Sequence, residues 1–188
     1  ACKRIGVLSR YSIIGCNSKG IFQIMIKYLD IQAITAQHAA EYQAAAQRVI
    51  DSGWYLLGNE TEAFEQQYAH YIGTEHCVGV ANGLDALRLM LRAYKELGRI
   101  ADGDEIIVPA NTYIATILAI TDNNLVPVMV EPKLDTLEID TTRIEEVITS
   151  RTRAVLTVHL YGRLACNDEL VDICQRHNLL LLEDNAQS

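Results

Sequence analysis

The chain has 188 residues, 49% hydrophobic and 21% charged, with 16 Lys and Arg against 24 Asp and Glu for a formal charge of −8. That length supports one sizeable core with an appendage. The acidic balance argues against a protein that grips a nucleic-acid backbone through a basic face, and the apolar runs are too short for a membrane span.

Residues 1–24 stand apart, with Lys3, Arg4, Arg10 and Lys19 as their only charges. Ile13-Ile14-Gly15-Cys16 resembles a lipoprotein cleavage box, but Arg10 interrupts what would be the apolar core of an export signal. This segment is read as an extraneous or disordered leader, with Met25 as a natural start. Residues 25–60 then form an N-terminal arm and helix, and 61–188 the main domain. Cys2, Cys16, Cys77, Cys166 and Cys174 form no CxxC pair and are odd in number, which points to free thiols in a reducing cytoplasm.

From Thr35 to Asp51 the composition predicts a helix that stops at Ser52-Gly53. Asn59 with Glu62 three residues on is a helix-start signature, and Gly73 is placed to end that helix. A strand is predicted at Cys77 to Ala81, a helix from Leu84 to Leu97, a strand at Glu105 to Val108 and a helix from Tyr113 to Thr121. Strands near Val126 to Val130 and Ala154 to Val158 follow, with a helix at Thr142 to Ile148 between them. A helix from Asp168 to His177 precedes the leucine-rich strand Asn178 to Leu182. Strands alternating with helices predict an α/β fold: three layers, a mostly parallel sheet with helices on both faces.

Parallel strands bring the segments after them to one rim, where open α/β sheets bind ligands. Here those segments are Asn82-Gly83, Pro109-Ala110-Asn111-Thr112-Tyr113, His159-Leu160-Tyr161-Gly162 and Asp184 to Gln187. Gly83 at a helix start suits an anion held by backbone N–H groups, and equally suits a tight turn. GxGxxG and GxxxxGK[ST] are both absent, which disfavours a dinucleotide-binding dehydrogenase and a P-loop ATPase. Tyr113 can face a flat ring or simply pack. His159 is a candidate substrate contact, as pocket wall or base, beside the ordinary reading of a hydrogen-bonded histidine. His38, His70, His76 and His177 lack ligand spacing, so no metal is assigned. Asp184 closes a buried strand and needs a cationic or proton-bearing partner.

The runs Val80-Ala81-Asn82-Gly83-Leu84-Asp85-Ala86-Leu87, Gly103-Asp104-Glu105 through Pro109-Ala110-Asn111-Thr112-Tyr113-Ile114-Ala115-Thr116, Val158-His159-Leu160-Tyr161-Gly162 and Glu183-Asp184-Asn185-Ala186-Gln187 occur in order, after Ser52-Gly53-Trp54-Tyr55 and Leu57-Gly58. Together they resemble the nucleotide-sugar aminotransferases of the DegT/StrS family, fold type I pyridoxal-phosphate (PLP) enzymes, over about residues 26–188. The resemblance implies PLP as cofactor, with Asp184 at the pyridine nitrogen and Gln187 at the ring's phenolic oxygen. Tyr113 would stack on the ring, and the backbone around Gly83 and Leu84 would hold the phosphate. It also implies glutamate as amino donor, a nucleotide-linked keto sugar as acceptor and a homodimer. The favoured sugar is a deoxythymidine-linked 3- or 4-keto-6-deoxyhexose, with the 3-keto type preferred.

In that family the Schiff-base lysine lies beyond the Asp184 motif, whereas Lys3, Lys19, Lys27, Lys95 and Lys133 all precede it. The chain is therefore read as an N-terminal fragment, 61–188 being an incomplete PLP-binding large domain, inactive alone and exposing surface that later elements would cover. A lysine-free class that uses PLP for dehydration is a variant within the resemblance. Two rival readings are another fold type I enzyme, such as an amino-acid aminotransferase or cysteine desulfurase, and a noncatalytic regulator that keeps the pocket. The first would normally place a histidine at the stacking position.

Overall fold

The computed structural model describes residues 12–17, 20–25 and 27–188, in two units, 1–78 and 79–188. Cys2, Lys3, Arg4, Arg10 and Lys19 of the expected leader lie outside the described residues. The backbone of β1 (Ser12–Asn17) pairs antiparallel with β2 (Gly20–Met25), Ser12 opposite Met25.

The rest of the first unit is helical. Asp30 opens α1 (Ile31–Gln37) by accepting the Ala33 N–H at 3.1 Å, satisfying a donor that the first turn leaves free. The expected helix from Thr35 is split at His38, after which α2 (Ala39–Ser52) runs to Gly53, whose left-handed φ of 64° ends it. The third helix, α3 (Asn59–Ile72), is capped by the Gly58 backbone, so Asn59 lies inside the helix and does not form the expected side-chain cap. Gly73 closes α3 with φ 80°, donating its N–H to the Ala69 carbonyl. An Arg48–Glu60 pair, 2.6 and 2.9 Å, ties α2 to the start of α3.

The second unit contains the sheet. Its elements are α4 (Gly83–Glu96), β3 (Glu105–Pro109), α5 (Ile114–Thr121), β4 (Val126–Val130), β5 (Thr152–Val158), α6 (Asp168–Arg176) and β6 (Leu180–Asp184). The strand order is β4-β3-β5-β6, every pair parallel, with Pro109 opposite Val130 and Val158 opposite Asp184. Pro127 can sit in β4 because an edge strand has one side free of ladder bonds.

Alternation along the strands sends side chains to two layers. On one face Ile106, Val108, Ala154, Leu156 and Leu182 pack with Leu87 and Leu91 of α4 and Ala119 and Ile120 of α5. On the other, Ile107 and Val155 pack with Leu170, Ile173 and Cys174 of α6. Each fully buried Leu or Ile contributes roughly 1.5–3 kcal/mol. The three-layer parallel architecture expected from the alternation is the one observed.

Two expected elements are absent. No strand is formed over 77–81 in the described structure, where strand-forming residue types alone do not decide the outcome. In place of a helix at 142–148 there are two 3₁₀ turns, Thr141–Arg143 and Glu145–Val147. Asp140 caps the first by accepting the Thr142 N–H at 3.1 Å, and Ile148 is already extended, which leaves too few residues for a stable α-helix.

At the amino-terminal rim of the sheet the buried Glu105 accepts from the Thr149 hydroxyl (2.5 Å), from Arg151 (2.5 and 3.1 Å) and from Thr152 (3.2 Å). The Thr149 hydroxyl, then Arg151, hold its carboxyl below the usual glutamate range. A depressed folded-state value stabilises above the unfolded pKa, and that contribution is lost as pH falls through the folded value. Glu105→Gln should therefore lower the denaturant midpoint at neutral pH and flatten its decline towards acid. Midpoints measured between about pH 7 and about pH 3 check this; an acid limb of unchanged slope would contradict it.

Candidate functional site

Outside the carboxyl ends of β5 and β6 lies a cleft of about 470 Å³, within the range of small-molecule sites. Gly83, Leu84, Tyr113, Asp184 and Gln187 all line it, from segments as far apart in sequence as α4 and β6. Leu87, Val158 and Leu160 make much of its wall apolar.

The N-terminus of α4 is arranged for an anion. Asn82 accepts the Asp85 N–H at 3.0 Å and donates its own amide to the Asp85 carboxylate at 2.9 Å. The Gly83 and Leu84 N–H groups have no acceptor among the described residues, as expected in a helix's first turn. A Cβ built on Gly83 would meet nothing within 4 Å, so a ligand can approach the backbone there. The helix dipole adds attraction for negative charge.

Tyr113 immediately precedes α5 and is 72% exposed although it lines the cleft, so much of its ring is available to stack. Asp184 is only 7% exposed. Its Oδ2 accepts from the Thr116 hydroxyl at 2.8 Å and its Oδ1 from the Ala186 N–H at 3.1 Å. No Lys or Arg is among the residues lining the cleft. A nearly buried carboxylate with two neutral donors and no cation is costly unless a positive or proton-bearing group joins it.

Gln187 is oriented from the next loop: its Oε1 accepts the Tyr161 N–H at 2.7 Å, leaving the amide nitrogen to donate elsewhere. That loop turns through two left-handed residues, Tyr161 (φ 58°) and Gly162 (φ 75°). A Cβ at Gly162 would come within 3.3 Å of the Gln187 carbonyl oxygen, so glycine suits both the backbone angle and the approach.

His159 is placed differently from the expected ligand contact. It does not line the cleft, and it is 3% exposed. Its Nδ1 accepts the Ala165 N–H at 3.0 Å, which puts the ring proton on Nε2, 2.7 Å from the Glu183 carboxylate. Its own N–H donates to the Asp184 carbonyl. With both ring nitrogens engaged, the residue braces β5, β6 and the 160–165 loop.

Two threonines at the start of α5 escaped the sequence reading. Thr112 lies in the loop just before α5 and Thr116 in its first turn, their hydroxyls 2.8 Å from each other, and Thr116 is fully buried against Asp184, 68 positions away in sequence. Both lay within the Asn111-to-Thr116 run, but nothing in sequence showed which face of α5 would meet β6. Neither Cys166 nor Cys174 lines the cleft, and both are poor nucleophiles: burial pushes Cys174 up to about 11, and burial with the nearby Glu183 and Asp168 carboxylates raises Cys166.

Comparison with known proteins bears on this site. The model of the DegT/DnrJ/EryC1/StrS aminotransferase family matches residues 36–188. The dTDP-3-amino-3,6-dideoxy-alpha-D-galactopyranose transaminase of Aneurinibacillus thermoaerophilus is 51% identical over 165 residues, 87% of this chain and 44% of that protein. Streptomyces venezuelae DesV, solved with a ketimine intermediate, superimposes with a TM-score of 0.81 at 48% identity, covering 87% of this chain and 43% of DesV. The Bacillus subtilis protein ntda, solved with its cofactor PMP, superimposes with a TM-score of 0.78 at 29% identity, covering 85% and 36%. The chain thus spans less than half the length of these relatives.

Proposed function

This chain belongs to the DegT/DnrJ/EryC1/StrS aminotransferase family, and on that premise we propose that the whole protein is a PLP-dependent aminotransferase that moves an amino group from glutamate to a keto carbon of a nucleotide-linked deoxysugar. The observation that carries this reading is Asp184, a nearly buried carboxylate with no cation beside it among the described residues, in one cleft with the N–H groups at the start of α4 and an uncovered tyrosine ring. These features fit a flat heterocycle that bears a basic nitrogen and a phosphate. The PMP bound by the Bacillus subtilis neighbour is the aminated form of such a cofactor.

Bound PLP supplies an electron-accepting ring and a carbonyl that takes up and hands on an amino group. The chain's own residues bind and orient. The Gly83 and Leu84 N–H groups take the phosphate, the Tyr113 ring covers the heterocycle, and the Gln187 amide nitrogen donates to the ring oxygen. Asp184 keeps a proton on the ring nitrogen, because its negative charge favours the protonated form of a partner at hydrogen-bond distance. The apolar side chains of Leu87 and Val158 line the same cleft and would lower the polarity beside that pair. His159 contributes as the brace that fixes the strand ends. No lysine lines the cleft among the described residues, so the reading requires the whole protein to bring one there.

For the acceptor we propose a deoxythymidine-linked 3-keto-6-deoxyhexose, on the 3-amino product named for the 51% identical relative. A homodimer in the cytoplasm completes the reading, and no helix of the described residues is long and apolar enough to cross a membrane. The test is turnover of the whole protein with PLP, glutamate and that keto-sugar nucleotide, followed by mass spectrometry. Amino-sugar nucleotide and 2-oxoglutarate should appear in equal amounts and depend on PLP. Absence of the amino sugar, or its formation without PLP, would overturn the assignment.

A further inference from the structure

We propose that Thr116, backed by Thr112, is a positioning residue that aims the Asp184 carboxylate into the cleft. The inference rests on the cofactor reading above and adds residues that reading does not use. A threonine inside a helix ordinarily returns its hydroxyl hydrogen bond to a carbonyl one turn back. Thr116 instead donates across to β6, at 2.8 Å from Asp184 Oδ2.

The direction of each bond follows from chemistry. An ionised carboxylate only accepts, so the Thr116 hydrogen is committed to Asp184. The 2.8 Å contact between the two threonine hydroxyls must then have Thr112 as donor. Thr112, Thr116 and Asp184 thus form a one-way chain of donors ending on Oδ2, while the Ala186 N–H holds Oδ1 at 3.1 Å. A hydrogen bond on each oxygen fixes the rotation of the carboxylate plane about its last side-chain bond. The lone pairs left over are then held in one direction, with no rotational freedom to lose when a ring nitrogen arrives. Thr116 is fully buried, so water cannot replace its hydroxyl.

The experiment compares the whole protein with its Thr116→Val, Thr116→Ser and Thr112→Val variants. Three quantities are read: the dissociation constant for PLP by absorbance titration, the ¹⁵N signal of the ring nitrogen in ¹⁵N-labelled PLP, and the thermal midpoint without PLP. Thr116→Val keeps the shape and removes the donor. It should weaken PLP by roughly ten- to hundredfold, the worth of a hydrogen bond to a charged group. It should also move the ring-nitrogen signal away from the protonated position, and Thr116→Ser should restore both. Thr112→Val should weaken PLP in the same direction by a smaller factor, and it provides the test if Thr116→Val does not fold. Wild-type affinity and ring signal in Thr116→Val overturn the inference and leave the cofactor reading intact. So does a Thr116→Ser variant as weak as valine, or, where valine does not fold, a Thr112→Val variant that binds PLP as wild type does. Failure of the wild-type protein to bind PLP overturns the cofactor reading and this inference with it.

Discussion

Replacing Asp184 by Asn in the whole protein should cost on the order of 10³-fold in kcat/KM, within the range attributed to a well-placed proton-holding group. Asparagine has nearly the same shape and can still accept from Thr116 through its carbonyl oxygen, losing only the acceptor for the Ala186 N–H, a cost of about 1–3 kcal/mol that the fold should survive. The negative charge does not. Its amide presents either an N–H or a neutral oxygen to the ring nitrogen, and neither stabilises a proton there as a carboxylate does. PLP affinity should fall together with turnover, because the same ion pair serves both. Steady-state kinetics and a cofactor titration on the two proteins check this. Activity within about threefold of wild type would remove Asp184 from the chemistry.

The largest effect on stability is expected at Leu156. It lies in β5, an interior strand of the sheet, is fully buried, and packs in one cluster with Leu87, Leu91, Ile106 and Leu182. A close-packed site in an interior strand has little room to collapse, so Leu156→Ala should cost about 3–5 kcal/mol through lost burial and the cavity left behind. The effect should reach the cleft, since Leu87 belongs both to that cluster and to the cleft wall. Leu164→Ala is the control: at 73% exposed it should change stability by less than about 0.5 kcal/mol. Denaturant midpoints separate the two. Equal costs at Leu156 and Leu164 would mean that the sheet is not the organising core.

Much of the second unit could be read from sequence, and the reason is burial on both faces. Glu105–Pro109 and Thr152–Val158 are short apolar runs bounded by turn residues, a pattern that parallel strands produce. Gly73 could be read because only a residue tolerant of positive φ ends a helix that way. Convergence on one rim followed from topology, and it brings Gly83, Leu84, Tyr113, Asp184 and Gln187 to one cleft.

What escaped the sequence depends on partners distant in the chain. Cys77 to Ala81 has the residues of a strand yet forms none in the described structure, because local propensity alone does not decide strand formation. Asn59 looked like a cap, yet the chain turns one residue earlier and the Gly58 backbone takes that place. The hairpin of β1 and β2 lies in a segment whose charge pattern drew attention to targeting and away from pairing. His159 ended a strand at the functional rim, but its orientation is set by Ala165 and Glu183, six and 24 positions away. The Thr116–Asp184 bond joins α5 to β6, and only tertiary structure reveals it.

The most direct measurement is a crystal structure of the whole protein grown with PLP. The account predicts the ring nitrogen within about 2.7–2.9 Å of an Asp184 carboxylate oxygen, as a charge-assisted hydrogen bond requires. It also predicts the phosphate on the Gly83 and Leu84 N–H groups and the Tyr113 ring against the heterocycle. A cofactor bound elsewhere, or bound in this cleft with its nitrogen turned away from Asp184, would contradict it.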